Sequence, residues 1–413
     1  MAATLKNIKH NNTDIPVIFE KHNTLPIFNL QLVFKNSGYI NDIKQPGLTN
    51  VTAKLLNEGT LKDGAINFAR KLENRAISIY TSTGFETFVV EISCLKQEYK
   101  TALKYLEKLL KDPNLQNETL EKIKNLQLSK LKQKENDFDY VASSNLKKIS
   151  YKNSALEYPS SGNIKSIESI KIEDVNENLK KVFNLNNLIV VVGGDIKFKE
   201  FKGEFQSILN LIKPNSKKED IKKIEISKNI QTKTQIKDTE QSYIYFTSPF
   251  YIDSDSKDSC KAKVASFILG GSGFGSRLME EIRVKNGLAY SAYGSISNKK
   301  SHSHFTGYLQ TKLDNTKKAK DMVEKIVGDF VKNGITKKEL DAAKNFLKGS
   351  EPLRTETFSQ RLNRSFMLFY NNLPFDYPKQ ELKKIDELTV EELNKFIKSH
   401  NEIKNLSFSI VTK

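Results

Sequence analysis

The chain has 413 residues, with 66 Lys and Arg against 49 Asp and Glu, a formal net charge of +17. That length exceeds one ordinary core and predicts two or more domains, while 38% hydrophobic and 28% charged residues suit a globular chain with no apolar run near the roughly 18 residues of a membrane span. Two cysteines, Cys94 and Cys260, exclude a disulfide framework or a four-cysteine zinc site, and each reads as a small buried thiol in or beside an apolar segment.

The opening MAATLKNIKHNN has no apolar signal-peptide core, so the expected location is the cytoplasm, or the periplasm if this N-terminus is a processed or recloned one. IPVIFEKHNTLPIFNLQLVF then reads as paired strands. Leu48, Val51 and Leu55 mark an amphipathic helix, and Asp63–Asn74 a second with Ala65, Phe68, Ala69 and Leu72 on its apolar side. Ala76–Thr83 and Glu86–Leu95 flank Gly84 as a hairpin, followed by helices over Glu98–Lys111 and Asn117–Lys134. The Lys of this region alternates with Glu, as in LEKLLKDPNLQNETLEKIKNLQLSKLKQKENDF, which describes solvated helix faces and no nucleic-acid surface. The polar stretch KPNSKKEDIKKIEISKNIQTKT predicts a linker over residues 213–234. Beyond it the order repeats: strand Ser242–Ser248, helix Ser259–Leu269, short helix Ser276–Arg283, hairpin Leu288–Leu309 and helix Thr316–Asn333.

An internal repeat supports this. From Ile164 and from Leu382, Ile167 matches Ile385, Ile172 matches Val390, Glu173 matches Glu391, Val175 matches Leu393 and Asn176 matches Asn394, at a constant offset of 218. Each copy reads as a capped helix leading into an apolar strand, Leu188–Val192 or Leu406–Val411. The expectation is an α+β chain of two homologous domains, each a mostly antiparallel sheet covered by helices, over residues 1–212 and 235–413.

Several groups invite chemistry. His302 and His304 lie two apart and can share a strand face, but a zinc site needs a third ligand and none stands nearby; two polar residues on an exposed face is the plainer reading. Gly270, Gly271, Gly273 and Gly275 follow a helix rather than a strand, which suits a turn capped by Ser276 better than a phosphate cradle. In EEIRVKNGLAYSAYGSIS, Arg283 and Tyr290 stand seven residues apart across one helix-to-strand turn. A guanidinium fork and a phenolic hydroxyl are suited to holding a peptide carbonyl or stabilising an oxyanion; packed surface residues are the alternative.

GGSGFGSRLMEEIRVKNGLAYSAYGSIS resembles the second-domain signature of the pitrilysin/insulinase-like zinc peptidases, among them the mitochondrial processing peptidase. PGLTNVTAKLLNEGT, FARKLENRAISIYTSTGFETFVVEI and VVVGGDI extend the likeness through the first half. Active members carry H-x-x-E-H, two zinc ligands and a general base. The matching positions here are Asn50, Ala53 and Lys54, and the downstream ligand falls near Gln127-Leu128, where no Glu stands. The resemblance implies a chain without zinc or activity of its own. In two-subunit bacterial members one chain has the metal motif and its partner the Arg-Tyr pair. By that likeness this chain is the non-catalytic subunit, with Arg283 and Tyr290 orienting peptide substrate in a heterodimer whose zinc sits in the other chain. A structural or binding protein of the same fold, without a role in proteolysis, is the alternative.

Overall fold

The structure, a computed structural model, describes residues 3–215 and 220–413. They form two compact units, one of Met1–Lys132, Tyr158–Ile221 and Thr357–Met367, the other of Gln133–Glu157, Lys222–Glu356 and Leu368–Lys413. Neither is contiguous in sequence. Segments 133–157 and 357–367 each group with the unit that the ranges 1–212 and 235–413 do not give them.

The first unit runs β1 (Thr4–His10), β2 (Thr13–Lys21), β3 (Ile27–Lys35), α1 (Leu48–Leu56), α2 (Gly64–Glu73), β4 (Ser78–Thr83), β5 (Thr87–Leu95), α3 (Tyr99–Lys111) and α4 (Asn117–Gln133). Helix α5 (Phe138–Ser150) belongs to the second unit; α6 (Ile164–Ser169), α7 (Ile172–Val182), β6 (Leu188–Gly194) and α8 (Phe198–Leu209) return to the first. The sheet order is β1-β2-β6-β3-β5-β4, antiparallel except for β2 with β6. Strands β2 and β3 form as expected but do not pair with each other. Strand β6, LIVVVGG, is buried along its whole length and lies between them, since a fully apolar strand is stable only with neighbours on both edges. Period-two alternation points Phe28, Leu30, Leu32 and Phe34 of β3, and Phe88, Val90, Ile92 and Cys94 of β5, into one core with Leu106, Val175, Phe201 and Phe205 of the helices. Burial pushes the Cys94 thiol up to about 12, as expected of an inert core cysteine.

The second unit runs β7 (Thr232–Ile236), β8 (Gln241–Pro249), α9 (Ser259–Ser266), β9 (Ala289–Asn298), β10 (Ser303–Lys312), α10 (Thr316–Asn333) and α11 (Lys337–Gly349). Helix α12 (Phe358–Tyr370) begins in the first unit, and α13 (Tyr377–Glu387), α14 (Val390–Ser399) and β11 (Ser407–Thr412) complete the second. Its sheet order, β7-β11-β8-β10-β9, reproduces β2-β6-β3-β5-β4, including one parallel pair, β11 with β7. Helix α14 begins at Val390 where α7 begins at Ile172, in the register of the sequence repeat. Phe246, Phe305 and Phe408 anchor its core.

Each sheet carries a helix segment on the face away from its core. In the first unit Arg361 Nε donates to the buried Glu20 Oε1 at 2.9 Å, and His22 stacks on Phe358 at 4.8 Å. In the second, Asp139 of α5 accepts from Tyr245 and Gln310, and Asn145 Nδ2 donates to Gln235 Oε1 of β7. Of the expected linker 213–234, residues 216–219 lie outside the described residues. Its end is structured: Ile224 N donates to Ser301 O at 2.6 Å, Ile226 is buried and β7 begins at Thr232.

Candidate functional site

Helix α1 is fixed from its N-terminus. Thr49 donates from its backbone N and its hydroxyl to Asp42, at 3.0 and 2.5 Å, and Asn178 Nδ2 of α7 donates to Thr52 Oγ1 at 3.0 Å. Burial pushes the Asp42 carboxyl up to about 6, against the lowering effect of those donors. The turns that follow carry Asn50, Ala53 and Lys54. Lys54 Nζ donates to Gln127 Oε1 of α4, whose Nε2 donates to Ser161 O at 2.9 Å. Desolvation, then the charge of Lys130, pulls the Lys54 ammonium below the usual lysine range. Asn50 Oδ1 is buried and has no hydrogen-bond partner among the described residues. The helix pair thus meets at the expected place, Gln127 opposite Lys54, with side chains that do not suit zinc. An ammonium repels a dication, Ala53 offers no carboxylate, and amide oxygens are poor substitutes for imidazole. Among the described residues no group of three or more His, Cys, Asp or Glu is arranged to hold a metal ion.

In the second unit, α9 passes through a wide π turn, Phe267–Gly271, into the glycine-rich loop, and a second π helix, Met279–Lys285, follows. Gly273 and Gly275, at φ +66° and +88°, occupy the left-handed region on either side of Phe274, which is 69% exposed. Ser276 Oγ accepts from Met279 N at 3.4 Å, the expected cap. Arg283 lies on the π helix and Tyr290 is the second residue of β9, 81% exposed. The guanidinium carbon of Arg283 is 4.4 Å from the Tyr290 ring centroid and 4.8 Å from that of Phe274. The two expected residues are therefore in contact, and Phe274, which the sequence places in a turn with no role of its own, joins them. The available signal was a large aromatic between two glycines, a place where burial has no use for it.

His302 and His304 depart from expectation. They do not lie on an open strand face. Their rings stack at 5.4 Å, and Tyr151, at the end of α5, meets both edge-on. Burial, then the charges of His302 and Lys147, depress His304 to about 3. With a cation beside the pair, the pocket is unsuited to a metal ion.

Two family models match the chain: insulinase (peptidase family M16) over residues 17–163, and peptidase M16 inactive domain over residues 169–347. Over 412 residues, 100% of this chain and 95% of the other, it is 43% identical to "Non-peptidase homolog YmxG" of Helicobacter pylori strain ATCC 700392 / 26695. The chain belongs to the M16 (insulinase) peptidase family. It is also 31% identical over 102 residues, 25% of each chain, to "Uncharacterized zinc protease YmxG" of Bacillus subtilis strain 168. The M16 fold recurs in the peptidase M16 inactive domain from Pseudomonas fluorescens, with TM-score 0.90, 23% identity and 99% and 98% of the two chains covered. It recurs also in a protease from Helicobacter pylori, with TM-score 0.85, 15% identity and 100% of both chains covered. This chain is an M16 homologue without an identifiable zinc-binding motif: Asn50, Ala53 and Lys54 stand at the motif positions, and Lys54 with Gln127 joins the two helices instead.

Proposed function

We propose that this chain is the non-catalytic, peptide-holding subunit of a two-chain M16 zinc protease. The observation that carries the reading is the state of Arg283. Among the described residues its guanidinium has no hydrogen-bond acceptor and no ion-pair partner, yet it is held against the exposed ring of Tyr290. Guanidinium donors left uncommitted on a protein surface are suited to an acceptor that arrives, and a peptide carbonyl or carboxylate fits their planar fork. The phenolic hydroxyl of Tyr290 adds one more donor. In the pair, a homologous subunit with an intact H-x-x-E-H motif supplies the metal and its activated water. Arg283 and Tyr290 orient the scissile peptide and stabilise charge developing on its carbonyl oxygen.

The test is co-purification of the native chain from its own cell. The expected result is a similar-sized M16 protein bearing H-x-x-E-H, with peptide hydrolysis by the pair and none by this chain alone. A chain recovered with no such partner, or a partner that hydrolyses peptide equally well without this chain, would make it a structural protein of the M16 fold.

A further inference from the structure

We propose that Phe274 is a positioning residue: it clamps the Arg283 guanidinium against Tyr290, so that Arg283 presents its donor fork edge-on to the peptide. The functional half of this inference rests on the reading of Arg283 as a peptide contact; the clamp itself does not.

The geometry is specific to Arg283. The nearby Arg277 also meets a ring, Phe330 at 5.3 Å, but its donors are taken by Glu339 at 2.6 and 2.9 Å and by Gly334 O at 2.6 Å. Arg283 has two rings and, among the described residues, no acceptor. A cation attracted to the face of an aromatic ring keeps its planar N–H groups at its edge, so stacking orients the fork without consuming its donors. Both residues are mostly exposed, Phe274 at 69% and Tyr290 at 81%, so neither is placed there by core packing. Gly273 and Gly275 hold the loop in left-handed backbone around Phe274, and an added Cβ at either would meet nothing within 4 Å. The backbone conformation, rather than crowding, accounts for the two glycines, and its effect is to turn Phe274 outward onto Arg283. A free arginine side chain loses considerable rotamer entropy when it binds, and one already held against two rings loses less.

The experiment uses the full chain with 15Nε-labelled arginine, Arg283 being assigned by its loss in Arg283→Lys. Ring currents should shift the Arg283 side-chain resonances away from those of exposed arginines. Phe274→Ala and Phe274→Leu should return them toward the exposed values, and Phe274→Tyr should keep them shifted; thermal unfolding should be unchanged in all three. In the reconstituted pair, Phe274→Ala should raise KM for a peptide by about fivefold, the scale of one exposed cation–π contact, with kcat changed less and Phe274→Tyr restoring it. Arg283 resonances indifferent to Phe274→Ala would overturn the clamp. A resonance change with no change in KM would overturn its positioning role. If Arg283→Ala itself leaves hydrolysis intact, the functional reading of Arg283 falls with the positioning role, while the resonances still report the clamp.

Discussion

Arg277 and Arg283 stand six residues apart on one short helical segment, one against a single ring and the other against two, and among the described residues only Arg277 has acceptors for its donors. Residue spacing makes Arg283 and Tyr290 neighbours across a turn, but only the fold separates an arginine tied to acceptors from one that, among the described residues, has none. The histidines show the opposite limit. His304 lies on β10 and His302 just before it, yet what covers them is Tyr151 at the end of α5, more than 150 residues earlier in the chain, and no local pattern announces it. This burial has a pH consequence. His304 has a folded value near 3 against 6.5 unfolded, so the unfolded chain binds the extra proton and stability is lost as pH falls from about 6.5 toward 3, by up to about 1.4 kcal/mol per pH unit. Asp42 has the opposite sign. Its folded value near 6 lies above 3.8, so its protonation in the folded state adds stability as pH falls from about 6 to about 4. Urea midpoints at pH 7.5 and 4.5 separate the two. His304→Gln should lose less on acidification than wild type, and Asp42→Asn should lose more.

At the scale of elements, α1 and α4 meet through Lys54 and Gln127. The sequence already placed the downstream ligand position near Gln127 by family register, and the hydrogen bond puts it opposite Lys54. Removing one partner strands the other. Lys54→Met should destabilise by about 1–3 kcal/mol, because Gln127 Oε1 is left buried and unpaired. Lys54→Met with Gln127→Leu should recover the part of that loss due to the stranded Gln127 Oε1, but not the Gln127 Nε2 to Ser161 O bond that Gln127→Leu also deletes, and chemical denaturation of Lys54→Met, Gln127→Leu, the double variant and wild type measures the coupling. Elemental analysis after dialysis should find no stoichiometric zinc; about one tightly held zinc per chain would contradict the reading of this helix pair. Long amphipathic helices and the apolar strands were legible because their burial writes a period into the sequence. Strands β1 and β7 were not. Both are edge strands, TLKNIKH buries only Ile8 and His10, and TKTQI buries none of its five residues, so backbone pairing rather than an apolar stripe defines them.

The whole molecule is a duplication whose two sheets share one strand order, as the 218-residue repeat implied. What the repeat could not reveal is that segments 133–157 and 357–367 each complete the unit formed mainly by the other half, because a repeat has the same pattern whichever copy a segment packs with. Limited proteolysis should therefore cut first in the expected linker, N-terminal to Ile224, which is already tied to Ser301. The two fragments should remain together under native conditions, as each unit needs a segment from both sides of the cut. Fragments that separate readily would show that the exchanged segments contribute little. The central claim is that the chain holds peptide for another subunit's metal, and it is tested most directly by peptide hydrolysis of the reconstituted pair carrying Tyr290→Phe, with assembly of the pair verified separately. That change deletes one hydroxyl and keeps the ring against Arg283. The account predicts an intact complex whose turnover falls by about a hundredfold, the scale of one lost oxyanion donor. Wild-type turnover from an intact Tyr290→Phe pair, and likewise from Arg283→Ala, would contradict it.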